Sequence, residues 1–103
     1  MKHYLIKYTF KTGTREAWHA EIDQFIAAIE SDPVLAGRIS YRCLKARDGD
    51  DYYHLASPID DAAPRELAER AFFTHYTEAS EKASGGTLEV VPLEVVAETA
   101  FRA

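Results

Sequence analysis

Two histidines and a set of aromatic side chains have the types and spacing that proton chemistry on a small organic molecule would need. His75 stands at i+4 from Ala71, i+3 from Phe72 and i−4 from Ala79, so helical periodicity turns it toward an apolar stripe that also holds Phe72 and Tyr76. A half-buried imidazole titrating near neutrality can take a proton from a phenol, a first step in the oxidation of an electron-rich aromatic by dioxygen. His75 is therefore the expected catalytic base. Trp18 heads the stripe of an earlier helix and offers a wall for a flat ligand. Tyr8 and Tyr41 bring phenolic hydroxyls that can orient a substrate oxygen. His54 shares a strand face with Tyr52 and Ala56, while Tyr53 and Leu55 take the other; alternation leaves open which set faces a pocket. Trp18, Tyr8, Tyr41, His54, Phe72 and Tyr76 form the expected substrate-binding set. Each also has a plain structural reading, as core packing or as a hydrogen-bonded structural histidine.

Other chemistries find no support. His3, His19, His54 and His75 lack the i, i+4 helical or i, i+2 strand spacing of metal ligands, and no metal site is expected. Asp48, Asp50 and Asp51 lack the later glutamate of a calcium loop and read as a solvated turn. There is no glycine-x-serine-x-glycine elbow, and Gly85-Gly86 is too short for a dinucleotide fingerprint, so no cofactor is called for. The single cysteine, Cys43, rules out an internal disulfide; in an alternating strand it reads as a small buried hydrophobe. A formal net charge of −5 without a Lys/Arg cluster argues against nucleic acid. No apolar run is long enough to span a bilayer, and a soluble protein of the reducing cytoplasm is expected.

These residues need elements to hold them. At 103 residues, with 47% hydrophobic and 28% charged side chains, residues 1–103 read as one domain. Alternation from Lys2 to Lys11 predicts a first strand with Tyr4, Ile6, Tyr8 and Phe10 on one face. Thr14 can cap a helix carrying Trp18, Ile22, Phe25, Ile26 and Ile29, which ends near Asp32-Pro33. Ile39 to Leu44 and Tyr52 to Ala56 alternate about the turn Asp48-Gly49-Asp50-Asp51 and predict a hairpin. Asp61 can cap a second helix, with Pro64 in its first turn and an end near Ala83; a break near Thr74 would split it. A last strand over residues 88–99 is apolar on both faces, and Pro92 places it at a sheet edge or a bulge. The order is βαββαβ: an α+β, ferredoxin-like sandwich with a four-stranded antiparallel sheet and both helices on one face. The other face needs a cover, and a second copy of the chain is the economical one, pairing through the open sheet face and the 88–99 strand.

With that order in place, the chain resembles the dimeric α/β-barrel superfamily and, within it, the antibiotic biosynthesis monooxygenase family. Lys11-Thr12-Gly13 is similar to that family's turn after strand one, Ala36-Gly37 to its lead into strand two, Asp48-Gly49-Asp50-Asp51 to its acidic hairpin, and Thr74-His75-Tyr76 to the histidine-aromatic element of its second helix. The resemblance implies a homodimer and a pocket in each protomer between helices and sheet. It further implies a cofactor-independent monooxygenase acting on a small phenolic or quinol-like compound. The haem-degrading branch relies on an asparagine, and this sequence has none. A non-catalytic small-molecule-binding or accessory homodimer of the same shape is the alternative.

Overall fold

The structure is a computed structural model describing residues 2–101. Its elements run β1 (His3–Thr9), α1 (Arg15–Ser31), β2 (Ile39–Lys45), β3 (Asp51–Pro58), α2 (Ala62–Ala68), α3 (Ala71–Ser84) and β4 (Glu89–Leu93). The sheet order is β2-β3-β1-β4 with every pairing antiparallel, the ferredoxin-like arrangement that the element order predicts. β4 is an edge strand, so the missing N–H of Pro92, opposite Tyr4, can face away from the ladder. The strand is shorter than the predicted 88–99: pairing stops at Leu93, and residues 94–101 run on without a ladder partner.

Register settles which side chains share a face. Tyr8 lies opposite Tyr52, Ile6 opposite His54 and Tyr4 opposite Ala56, while Cys43 and Tyr41 of β2 continue the same rows. This face carries the helices. α1 begins at Thr14, whose hydroxyl accepts the Ala17 N–H at 3.2 Å, and buries Trp18, Ile22, Phe25 and Ile29. Each of those burials stabilises by about 2 kcal/mol on area grounds. The opposite face, with Leu5, Leu44, Tyr53, Leu55, Val91 and Leu93, carries no helix or strand among the described residues; Leu44 and Leu93 are 47% and 41% exposed.

The predicted second helix is two helices, and the break falls at Arg70 rather than near Thr74. Arg70 adopts an extended backbone (φ −84°, ψ 136°) while its guanidinium grips Asp32 at the end of α1, Nε donating to Oδ2 at 2.7 Å. That ion pair holds the Asp32 carboxyl down at about 2. Asp61 occupies the cap position of α2 without a side-chain bond. Asp60 does the capping instead, its Oδ1 accepting the Ala62 and Ala63 N–H groups at 3.1 and 2.9 Å. α3 ends on Gly85 in the left-handed conformation (φ 57°), against Lys11 just past β1.

Candidate functional site

Alternation along β3 sends Tyr52, His54 and Ala56 under the helices, which decides the question the sequence leaves open. His54 is 1% exposed and becomes the centre of a hydrogen-bonded chain crossing the core. Its Nε2 lies 2.8 Å from the Tyr8 hydroxyl, which also accepts the Trp18 indole N–H at 2.8 Å. Its Nδ1 lies 2.7 Å from the Tyr41 hydroxyl, and the Tyr41 and Tyr76 oxygens are 3.1 Å apart. One residue comes from each of β1, β2, β3, α1 and α3.

Ring packing fixes these groups in place. Phe25 stacks on Tyr76 with centroids 3.8 Å apart and planes 1° from parallel, and Trp18 stacks on the same tyrosine at 5.7 Å. Tyr41 meets Phe25 edge-on at 5.2 Å. Burial governs the protonation states. It pushes the His54 imidazole down to about 4 and raises the Tyr8, Tyr41 and Tyr76 phenols well above their usual range. It also pushes the thiol of Cys43, which is half-buried rather than fully buried, up to about 12. At neutral pH the whole chain of groups is uncharged.

Beside it lies an apolar cavity of about 340 Å³. Tyr4 and Ile6 of β1, Leu67 of α2, Phe73 of α3 and Leu88 and Val90 at the β4 edge form its walls, and Tyr41, Tyr76, Thr77, Ser80 and Glu81 also line it. A volume of this order suits a small aromatic molecule. Among the described residues no cluster of three or more His, Cys, Asp or Glu side chains could hold a metal ion.

No family model matches the chain, and no curated protein is significantly similar to it in sequence. Its fold is shared with solved antibiotic biosynthesis monooxygenase structures. SnoaB from Streptomyces nogalater, a cofactor-independent oxygenase, is 18% identical, with 94% of each chain covered and a TM-score of 0.75. Rv0793 from Mycobacterium tuberculosis is 15% identical over 96% of this chain and 98% of its own, also at a TM-score of 0.75. A candidate antibiotic biosynthesis monooxygenase from Nitrosomonas europaea is 13% identical over 94% of this chain and 100% of its own, with a TM-score of 0.74. At such identities the likeness is one of fold.

Within this fold, Tyr8, Trp18, Tyr41, His54 and Tyr76 come together in the one chain of hydrogen bonds. Phe72 sits apart from the cavity, bordering instead a groove between α1 and α3 with Glu21, Gln24 and His75. His75 is exposed rather than half-buried, and its Nε2 meets Glu21 Oε2 at 2.9 Å. The turn of α3 that aims Tyr76 inward carries its neighbour outward, since adjacent helical residues diverge by about 100°. Sequence patterning missed the cavity walls Phe73, Leu67, Leu88 and Val90. Alternation in β1 did place Tyr4 and Ile6 on the Tyr8 face, but the split of the second helix, expected near Thr74, falls at Arg70 and sets Leu67 and Phe73 on separate elements.

Proposed function

We propose that this chain binds a small phenolic or quinol-like aromatic compound in the cavity between helices and sheet and oxidises it with dioxygen without a cofactor. The observation that carries the reading is an apolar cavity whose lining includes Tyr41 and Tyr76, the end of a buried, uncharged tyrosine–histidine chain. The fold likeness to a cofactor-independent oxygenase supports it. The chemistry asks little of the protein. An anthrone-like substrate ionises to an enolate that reduces dioxygen itself; its methylene becomes a carbonyl holding one oxygen atom, and the other oxygen leaves as water with both methylene hydrogens. A dry pocket that holds the ring and stabilises the ionised oxygen would speed the reaction.

His75, paired with Glu21, remains the candidate base for a ligand that uses the α1–α3 groove, while for a ligand in the cavity His54 acts by orienting Tyr41. The site works in a homodimer of this reading: the open face of Leu5, Leu44, Tyr53, Leu55, Val91 and Leu93 is apolar enough to pair with its own copy about a two-fold axis. Oxygen uptake with a panel of hydroquinones and anthrone-like phenols tests the activity. Turnover by the wild type, lost in His54→Ala or in His75→Ala while the fold persists, supports catalysis and tells the two histidines apart.

One observation favours a second reading. Both nitrogens of His54 are already engaged, so its imidazole is not a free base for the cavity, as in a module that holds an aromatic ligand without turning it over. Saturable binding of the same compounds with no oxygen consumed would establish that reading.

A further inference from the structure

The five hydrogens of Trp18, Tyr8, neutral His54, Tyr41 and Tyr76 share four close bonds, so one is surplus, and the direction of the chain decides at which end it lies. The Trp18 N–H can only donate, and it donates to the Tyr8 oxygen. Among the described residues the hydrogen of Tyr8 then has one acceptor, His54 Nε2 at 2.8 Å. Nε2 is thus the bare nitrogen, and the neutral ring carries its hydrogen on Nδ1, which donates to the Tyr41 oxygen at 2.7 Å. The opposite tautomer would leave the Tyr8 hydrogen with nothing to bond inside the core. Tyr41 and Tyr76 follow with two hydroxyl hydrogens and one mutual bond, at 3.1 Å, so one hydrogen is surplus. His54 Nδ1, 3.4 Å from the Tyr76 hydroxyl, carries a hydrogen and cannot accept it, which among the described residues leaves the Cys43 sulfur, a weak acceptor that the Tyr76 hydroxyl also approaches. Both tyrosines line the apolar cavity.

We infer that the chain ends in a hydroxyl donor offered to the cavity, and that the site therefore selects ligands presenting an acceptor oxygen, a ketone or an already ionised phenolate or enolate, over ligands that must donate an O–H. This rests on the cavity reading above and narrows it. The network does not take the substrate's proton; Tyr41 and Tyr76 hold the oxyanion, and His54 is a positioning residue that orients Tyr41.

Two measurements test the inference. In the wild type, long-range ¹H–¹⁵N correlation spectra should give His54 a protonated, pyrrole-type Nδ1 and a bare, pyridine-type Nε2; the reverse pattern overturns the inference without touching the cavity reading. In calorimetric titrations, 1-tetralone should bind on the order of tenfold more tightly than tetralin, its hydrocarbon twin, and 1-naphthol should gain affinity as it ionises. The tetralone advantage should vanish when Tyr41→Phe and Tyr76→Phe are combined. Equal binding of ketone and hydrocarbon sinks the inference alone, whereas failure of every one of these compounds to bind sinks the cavity reading with it.

Discussion

His54 Nε2 and the Tyr8 hydroxyl stand 2.8 Å apart on adjacent strands, almost sealed from water, and this contact ties the imidazole to the indole of α1 through a single oxygen. Tyr8→Phe deletes that oxygen and leaves both the Trp18 N–H and His54 Nε2 without their partner. The expected loss is about 1–3 kcal/mol in urea unfolding, and a variant as stable as the wild type would mean the contact is not made in solution.

The buried imidazole also sets a pH dependence. Its folded value of about 4 lies below the ordinary 6.5, so between those values the unfolded chain binds more protons and stability falls as pH falls. The stabilisation is complete above pH 6.5 and is lost on the way down to pH 4, by about 3 kcal/mol in all. Asp32, held at about 2 by Arg70, adds a separate loss below its ordinary 3.8. Denaturation midpoints across pH 4 to 7 check the first window, and His54→Gln should flatten it.

At high pH the sign reverses for the phenols. Tyr8, Tyr41 and Tyr76 are raised by burial, so each ionises more readily in the unfolded chain, and stability is lost as pH climbs past the ordinary value of 10. Tyrosinate absorbance should therefore show these phenols titrating together with unfolding rather than before it.

Ala56 faces the cavity from the floor of the sheet, opposite Tyr4. Ala56→Phe should fill the space and abolish binding of any aromatic ligand while thermal stability stays near that of the wild type, because the new ring occupies a void rather than displacing packed atoms. Unchanged affinity in calorimetry would place the ligand elsewhere.

On the open face, Leu93→Lys together with Leu44→Glu should shift sedimentation at micromolar concentration from dimer to monomer without changing the circular dichroism. A wild type that sediments only as single subunits refutes the pairing outright.

Gly85 tests the fold rather than the site. Its left-handed backbone and the 3.1 Å that a Cβ would leave to Lys11 Cβ predict a loss of about 1 kcal/mol for Gly85→Ala, read from a shift in the urea midpoint.

Local rules in the sequence were enough for the order of elements apart from the split of the second helix at Arg70, for the edge position of Pro92 and for the apolar stripe of α1, because strand alternation, helical spacing and turn residues act between near neighbours. They also identified Tyr8, Trp18, Tyr41, His54 and Tyr76 as candidates, though not that these five meet. That meeting depends on register: the pairing of β1 with β3 puts Tyr8 and His54 side by side, and a slip of one residue would turn His54 to the open face. Likewise, the exposure of His75 and the inward aim of Tyr76 follow from the rotation of α3, set where Arg70 leaves the helix to bind Asp32, a residue far away in the chain. Periodicity carries no information about such long-range partners. Only the packed structure decides which of two equally spaced faces becomes a wall of the cavity and which meets water.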